Sequence, residues 1–378
     1  ELARLSEIFS SKKAELVLVY GRRRVGKSRL LVEAIKDENA LYLLGDKSKS
    51  ILDILARQTG EKFVRFRTWD DFFEFLLVCK YDVIVIDEFQ YLCEVEKAWP
   101  TILSRWWEKI SRTNKKIILS GSTISAIYKV TRGYGSALYG RLTAEMKITQ
   151  LGIADASKFF PNYSPQDVVK AYCILGGIPR YLEEFQPDAS VEENIKRKIL
   201  EKSSFLYNEP TNLLFEEFRD VSPYVAILQA ITNGKVRFSE IADESKIESH
   251  KLPKYLTILE RVEIIEKEIP VTVKKTRTKT TRYKLADNFY AFWFAFLSAS
   301  KQMIERGLSG ELYESLKPQI NAYYGHRFEE VCREYLAAKK PVDFTRIGPW
   351  WHKDTEIDAV AYNEKTGEIL FAECKWKD

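Results

Sequence analysis

The first part of the chain alternates between two hydrophobic patterns. Short runs of β-branched and other apolar residues, typical of buried strands, are separated by stretches whose apolar residues recur every three or four positions, typical of amphipathic helices. This alternation predicts a parallel sheet with helices on both faces. The predicted strands lie near residues 15–20, 40–44, 83–86, 116–120 and 145–151.

Beyond residue 151 the apolar spacing becomes mostly helical. Residues 152–220, interrupted by Gly176, Gly177 and Pro179, predict a helical lid. Residues 221–300 predict three short helices, at 224–231, 238–244 and 253–261, followed by a hairpin, and the end of the chain predicts a helix and three strands from residue 323. The predicted fold class is α/β in four parts: 1–151, 152–220, 221–300 and 301–378.

Composition adds a few limits. With 378 residues, 45% hydrophobic and 30% charged, the chain is expected to fold into two or three domains. Lys and Arg exceed Asp and Glu by only 59 to 54, so any nucleic-acid surface must be a local patch. Five cysteines without a CxxC pair predict reduced thiols rather than a disulfide frame or a zinc site.

The longest apolar run, residues 289–297, is far shorter than the roughly 20 residues that cross a bilayer. It predicts a buried helix. Because no signal peptide opens the sequence either, a cytoplasmic protein outside the membrane is expected.

The segment GRRRVGKS lies between the first predicted strand and a predicted helix. Its glycines let the backbone curl, so that amide groups and the positive end of the helix surround a polyphosphate. Lys27 would reach the β and γ phosphates, and the hydroxyl of Ser28 would bind magnesium. The alternative is a plain glycine-rich turn. The segment predicts a site for ATP or ADP with Mg²⁺, formed by Gly21, Arg22, Arg23, Arg24, Val25, Gly26, Lys27, Ser28 and Arg29.

The three arginines at 22–24 occupy variable positions of this motif. Their side chains are expected to form a solvated loop face, and no role is assigned to them beyond the loop backbone.

Two acids, Asp87 and Glu88, end the third predicted strand. Ligands bind at the carboxyl edge of such sheets. Asp87 is therefore predicted to hold Mg²⁺ through water, and Glu88 to orient and polarise the attacking water. A solvated acidic turn is the alternative.

Two further polar residues could complete the site. Ser122, or else Ser120, follows the fourth strand and could sense the γ phosphate, unless it is an exposed turn serine. Arg141, just before the fifth strand, could act as a catalytic finger for its own or a neighbouring subunit's nucleotide. A surface ion pair is the equal alternative.

The segments GRRRVGKSRL, VIVIDEFQYL, ILSGST, LYGRLT and GGIPRYL together resemble the archaeal-type ATPase family, relatives of the AAA+ and STAND nucleotide switches. The sequence from LPKYLTILERVEIIEKEIPVT to ECKW resembles the DUF234 region commonly joined to that ATPase. The resemblance implies that the Gly-Gly-x-Pro element of the lid, here Gly177 and Pro179, approaches the nucleotide, with Arg180 a weaker candidate. It also allows an oligomer or a protein partner.

Residues 221–300 predict a winged helix-turn-helix, whose third helix can enter a major groove. The hairpin tip VKKTRTKTTR carries no acid, and its predicted DNA-contacting residues are Lys274, Lys275, Arg277 and Lys279, with Arg282 beside them. A solvated or protein-binding hairpin is the alternative. Tyr255, Leu256 and Leu259 are interpreted as the core face of the third helix.

The C-terminal part places Asp358 in one predicted strand and Glu373 with Lys375 in the next. It resembles the PD-(D/E)xK nuclease family, which implies that Asp358 and Glu373 bind a metal, Lys375 positions water and Glu329 on the preceding helix assists. Ile357 replaces the proline of that motif. The sequence ends three residues after Lys375, so the helix and strand that close the core in that family are expected to be missing.

Two functions follow from these predictions. In the first, ATP turnover gates a metal-dependent DNA nuclease. In the second, ATP binding and slow hydrolysis switch a regulatory DNA-binding or protein-binding module, and the nuclease fold is an inactive scaffold. The same ATPase serves both.

Overall fold

The computed structural model describes residues 1–131, 136–274 and 280–377. These residues pack into two compact units, Glu1–Thr149 and Gln150–Asp378. The first division falls within two residues of the predicted boundary at 151. The finer division of the second unit into three parts stays a prediction.

The first unit contains a five-stranded parallel sheet in the order β2-β3-β4-β1-β5. This confirms the predicted α/β fold with a parallel sheet. Its strands are β1 Glu15–Tyr20, β2 Ala40–Leu44, β3 Val83–Asp87, β4 Lys116–Gly121 and β5 Ala144–Lys147. Its helices are α1 Leu2–Phe9, α2 Lys27–Ala34, α3 Ile51–Gln58, α4 Trp69–Val78, α5 Gln90–Val95, α6 Trp99–Ile110 and α7 Ile124–Thr131.

Side-chain alternation along the central strands builds a core on each face of this sheet. Leu16 and Leu18 of β1 face a core that contains the aromatic residues of α4 and α6. Val17 and Val19 point the other way, against α1 and α2. Because both faces are covered, the strands are continuous apolar runs, as parallel sheets require. This packing fixes the carboxyl edge of the sheet, where β1 and β3 end.

The second unit is mainly helical as far as residue 261. Its helices are α8 Ile153–Ala156, α9 Pro165–Leu175, α10 Pro179–Leu182, α11 Val191–Asn194, α12 Glu209–Glu217, α13 Ser222–Thr232, α14 Phe238–Ser245, α15 Leu252–Arg261, α16 Asn288–Phe292, α17 Lys301–Glu305 and α18 Ser309–Lys339. Its strands are β6 Ile265–Glu268, β7 Arg282–Leu285, β8 Arg346–His352, β9 Thr355–Tyr362 and β10 Ile369–Ala372. Strands β6 and β7 pair antiparallel, and β8, β9 and β10 form a separate antiparallel sheet.

The predicted order of three helices and a hairpin is present, as α13, α14, α15 and the β6–β7 pair. Leu256 and Leu259 of α15 are buried, and the Tyr255 ring meets Tyr224 edge-on. The interpretation of these residues as the core face of α15 is therefore confirmed.

Helix α18 begins 14 residues earlier than the helix predicted from residue 323, and it contains Pro318. The prediction placed its start too late because the proline and the polar residues around it resemble a helix boundary. Tertiary packing prevails here: Leu312 and Tyr313 in the first turns of α18 are buried.

A partly buried ionic network ties the hairpin to α18. Lys284 of β7 donates a hydrogen bond of 2.7 Å to Glu330, which also accepts one from Arg327. Burial alone would raise the pKa of Glu330, but the charges of Arg327 and Lys284 outweigh it and hold that pKa at about 2. These ion pairs hold the base of the hairpin against α18, because removing one partner would leave the other charge uncompensated in a partly buried place.

Within residues 1–131, 136–274 and 280–377, no helix combines the length and the apolar character that crossing a bilayer requires. The apolar run at 289–297 forms α16 and a π-helical turn, and it is buried as predicted.

Candidate functional site

The loop between β1 and α2 has backbone geometry that demands glycine at two points. A Cβ on Gly21 would lie 2.2 Å from the carbonyl oxygen of Ile148, so only glycine lets the loop pass β5 this closely. Gly26 has φ +93°, a left-handed conformation that side chains disfavour. Helix α2 begins directly after it, so the positive end of the helix lies at this loop.

Lys27 is buried and folds back over this loop. Its Nζ donates hydrogen bonds to the carbonyl oxygens of Gly21 at 3.0 Å and Arg22 at 2.8 Å. An ammonium held by two loop carbonyl groups at the positive end of a helix is positioned to meet an anion.

Asp87, at the end of β3, meets this loop across the sheet edge. The hydroxyl of Ser28 donates to Asp87 Oδ2 at 2.6 Å, and Asp87 is only 1% exposed. Both groups are oxygen donors of the kind that Mg²⁺ prefers, so the residues present fit that ion. The structure therefore brings together the two residues predicted to bind Mg²⁺, and their binding of the ion stays a prediction.

Tyr42 is a member of this cluster that sequence reasoning missed. Its hydroxyl donates to the same Asp87 oxygen at 2.5 Å. Burial first, and then the neighbouring carboxylate, raise the pKa of Tyr42 well above its ordinary value, so the phenol stays a donor. The sequence does show an aromatic residue near the end of β2. It does not show that β2 lies beside β3, so a contact between Tyr42 and Asp87 could not be predicted.

Glu88 follows Asp87 in a left-handed backbone conformation, with φ 51°. This conformation is strained for a residue with a side chain, and such strain clusters at functional sites. The Glu88 carboxylate accepts hydrogen bonds from the hydroxyl of Ser122, at 2.7 Å, and from the side-chain amide of Gln90. The structure thus brings Ser122 to Glu88, whereas the hydroxyl of Ser120 is fully buried within β4.

The arginines of the loop differ from the sequence expectation. Arg23 was expected to be solvated, but its guanidinium donates to Tyr91 at 2.9 Å and approaches Thr123 at 3.5 Å. The expectation is wrong for Arg23, because α5 and the loop after β4 come close enough to hold it. Arg22 and Arg24 are half-buried, and Arg29 is exposed on α2.

Arg141 is not brought to this edge of the sheet. It precedes β5, which runs parallel to β1 with Ala144 beside Val17, so it lies at the end of the sheet opposite the loop. There it pairs with Glu108 of α6 at 3.1 Å. The surface ion pair is present, and a finger acting on the same chain's nucleotide does not fit this placement. A role toward a neighbouring subunit stays a prediction.

Residues 13–151 match the family described as the AAA domain, and residues 293–378 match DUF234, described as archaea bacterial proteins of unknown function. The chain is 33% identical over 390 residues to the uncharacterized protein MJECL04 of Methanocaldococcus jannaschii, covering all of this chain and 86% of that protein. The chain belongs to this family of P-loop ATPases with a DUF234 region.

Solved structures support the fold of this ATPase family. The Walker-type ATPase PABY2304 of Pyrococcus abyssi aligns with a TM-score of 0.58 at 22% identity, over 78% of this chain and 94% of that one. The ORC2 protein of Aeropyrum pernix, in ADPNP–ADP complexes, aligns with a TM-score of 0.55 at 15% identity, over 82% of this chain and 94% of that one. At these identities the likeness concerns the fold alone.

The predicted lid residues of this ATPase belong to the second unit. Pro179 is the first residue of α10, and Gly177 lies just before it, with its carbonyl accepting a hydrogen bond from Leu151 at 2.8 Å. Their approach to the nucleotide stays a prediction.

Part of the basic hairpin tip in the second unit lies outside the described residues. Of the predicted DNA-contacting residues, Lys275, Arg277 and Lys279 fall in the segment 275–279, which the structure does not describe. Lys274 is exposed and pairs with Glu364 at 3.5 Å. Arg282 pairs with Glu356 at 2.7 Å and lies over the Trp351 ring.

The DUF234 region brings its predicted acids to neighbouring positions. Asp358 lies in β9 as predicted, but β10 ends at the Ala372–Ala359 pair, so Glu373 and Lys375 follow that strand instead of lying in it. Asp358 accepts a hydrogen bond from the amide of Cys374 at 2.7 Å. Glu373 instead pairs with Lys375 at 2.6 Å on the exposed surface. Asp358 and Glu373 come near each other where this ladder ends, but their carboxylates bond different partners.

Glu329 on α18 approaches the same place. Burial, and then the charge of Asp358, raise the pKa of Glu329 to about 7, while Arg333 opposes the shift. Arg333 also donates a hydrogen bond to the carbonyl oxygen of Asp358 at 2.6 Å. Within the part of the chain that the structure describes, no three His, Cys, Asp or Glu side chains are grouped as metal ligands.

Proposed function

We propose that the protein hydrolyses ATP with Mg²⁺ at the edge where β1 and β3 end. The observation that carries this proposal is the convergence of Lys27, Ser28 and Asp87, with the Ser28 hydroxyl 2.6 Å from the Asp87 carboxylate and the strained Glu88 next to it. Lys27 and Ser28 follow β1 and Asp87 ends β3, two strands that are not adjacent in the sequence or in the sheet.

Each side chain has a distinct task in this proposal. Lys27 exchanges its bonds to two loop carbonyl groups for the β and γ phosphates, and the amides at the start of α2 bind the same anion. Ser28 and Asp87 would hold Mg²⁺, which supplies positive charge to the phosphates when bound. Glu88 orients the attacking water and accepts its proton. Ser122, now bonded to Glu88, would sense the γ phosphate.

The comparisons support this assignment. Both aligned structures share the fold, one is a Walker-type ATPase by its own description, and the ORC2 protein was solved with ADPNP and ADP. Release of phosphate from ATP by the unaltered protein, with Mg²⁺ and with EDTA, tests the proposal. Cation-dependent release supports it, and no release in either condition contradicts it.

We further propose that α13–α15 and the β6–β7 hairpin form a winged helix that binds duplex DNA through the hairpin. The specific support is the ordered sequence of three helices and a hairpin and the acid-free basic tip. The Lys274–Glu364 pair is exposed, and exposed pairs contribute little, so Lys274 can exchange Glu364 for a phosphate. Arg282 is held by Glu356 and Trp351, so it is better placed to support the hairpin than to bind DNA.

Replacing Lys274, Lys275 and Arg277 with alanine should weaken duplex binding almost independently of DNA sequence. Each lost phosphate contact should lower the slope of log affinity against log salt by about one unit. Fluorescence anisotropy over a salt series measures both effects. The matched control removes three exposed lysines of the first unit, Lys12, Lys13 and Lys62. Equal salt slopes for both triple variants would assign the hairpin to protein contacts or solvent.

A metal-dependent DNA nuclease in the DUF234 region is the second candidate function. The observation in its favour is that the amide of Cys374, next to Glu373, bonds the Asp358 carboxylate. Glu329 lies near the same carboxylate, and its pKa is raised to about 7 first by burial and then by the charge of Asp358. Carboxylates that repel one another relax when a cation binds between them. The Lys375–Glu373 pair must open before Glu373 can join such a site.

Asp358→Ala should therefore remove both Mn²⁺ binding and plasmid nicking, whereas Lys375→Ala should keep the metal and lose only the nicking. ATP hydrolysis should survive both changes. Asp354→Ala, at an exposed turn of the same sheet, serves as the control. If the parent protein neither binds Mn²⁺ near Asp358 nor nicks DNA with ATP present, the region is an inactive scaffold. The ATP-switched regulatory function is then the better assignment.

A further inference from the structure

Among the described residues, three groups donate hydrogen bonds to the Asp87 carboxylate, and they differ in the other roles that the proposed site gives them. Oδ2 accepts from Ser28 at 2.6 Å and from Tyr42 at 2.5 Å. Oδ1 accepts from the backbone amide of Glu88 at 2.9 Å. Because Asp87 is buried, water does not replace a donor that is lost.

Neither Ser28 nor the backbone amide of Glu88 can fix the orientation of the Asp87 carboxylate alone. In the proposed site Ser28 turns its oxygen toward Mg²⁺, so its hydroxyl is shared between two tasks. The Glu88 amide is fixed in the backbone and binds the other carboxylate oxygen. This leaves the phenol of Tyr42 as the side-chain donor to Oδ2 that has no other task in the proposed site.

Tyr42 is itself held firmly. It lies on β2, whose residue Leu44 is paired with Asp87 in the parallel register, and its ring packs against the apolar core that covers the α1–α2 face of the sheet. Because packing restricts the ring, the Tyr42 hydroxyl is held in one position, within hydrogen-bond distance of the Asp87 carboxylate.

We propose that Tyr42 is a positioning residue that holds the Asp87 carboxylate in the orientation needed to take up a divalent cation beside Ser28. This inference rests on the proposed magnesium site and adds to it a residue that acts through Asp87. Hydrogen-bond partners of metal-binding carboxylates tune affinity, and their loss typically weakens metal binding about 10-fold to 100-fold.

The test is Tyr42→Phe, which deletes one oxygen and keeps the packed ring. Tyr81→Phe is the matched control: Tyr81 is half-buried before β3, at the opposite end of the same sheet, and its hydroxyl makes a 3.5 Å contact with the Thr59 carbonyl. For each protein, electron paramagnetic resonance measures the Kd of Mn²⁺ in the presence of ADP. A fluorescent ADP analogue measures nucleotide affinity in EDTA.

We expect Tyr42→Phe to raise the Kd of Mn²⁺ by about tenfold or more, with ADP affinity in EDTA unchanged. Tyr81→Phe should match the parent in both. An unchanged Kd for Mn²⁺ in Tyr42→Phe overturns the inference. So does an equal loss of ADP affinity in EDTA, since the phenol would then support the fold of the loop. If the parent protein itself binds no Mn²⁺ in the presence of ADP, the proposed magnesium site is wrong as well. Failure of the Tyr42 inference alone is therefore distinguishable, because the parent then still binds Mn²⁺.

Discussion

Lys27→Ala should abolish tight binding of ATP. The ammonium is buried within the loop, where it now bonds two carbonyl groups, and in the complex it is expected to pair with the β and γ phosphates. Hydrogen bonds to charged groups contribute about 1.5–3 kcal/mol each, so losing two should weaken ATP binding by about 100-fold or more. Isothermal titration with ATP and Mg²⁺ measures the loss.

Lys36→Ala is the control for this variant, because Lys36 is exposed just beyond α2 and pairs only loosely with Glu33 at 3.8 Å. Thermal unfolding without nucleotide should be similar for both variants and the parent. If Lys27→Ala binds ATP as tightly as Lys36→Ala does, the loop is a glycine-rich turn and the nucleotide site lies elsewhere.

Glu88→Gln should keep ATP binding and lose turnover by about 100-fold or more, the usual contribution of a general base. The amide has the shape of the carboxylate and can still accept from Ser122, but it cannot take a proton from water. The backbone at φ 51° is no more strained by glutamine than by glutamate. Steady-state phosphate release together with ATP titration separates the two effects. A variant that turns over like the parent would remove Glu88 from the mechanism.

The sequence was sufficient for those features of the site that depend on local pattern. The apolar runs placed β1 and β3, and the glycines, Lys27, Ser28 and Asp87 follow from motifs within ten residues of those strands. Parallel strands bring their carboxyl ends to one edge, so the meeting of Ser28 with Asp87 could be predicted without knowing the strand order.

Features that depend on strand order or direction could not be predicted in the same way. Tyr42 reaches Asp87 because β2 is the neighbour of β3, which no local pattern states. Arg141 was considered as a finger from its sequence context, yet its position before β5 places it at the far end of the sheet. Arg23 contacts Tyr91 because α5 folds back toward the loop, a contact 68 residues apart.

The C-terminal region shows a different limit. Spacing alone placed Asp358 and Glu373 on adjacent strands, but β10 ends at Ala372, so Asp358 lies in a strand and Glu373 does not. Spacing does not set side-chain orientation, which here depends on competing partners: the Cys374 amide for Asp358 and Lys375 for Glu373. The metal site therefore stays a proposal, whereas the P-loop ATPase domain is shown by the family to which the chain belongs.

A single-turnover experiment tests the central claim, ATP hydrolysis at the edge of β1 and β3, most directly. Radiolabelled ATP is bound to excess parent protein or to Glu88→Gln, Mg²⁺ is added, and labelled phosphate is measured after rapid quenching. The account predicts that the parent converts its bound ATP to ADP while Glu88→Gln holds ATP intact over the same interval. Equal conversion by both proteins, or none by the parent, would contradict it.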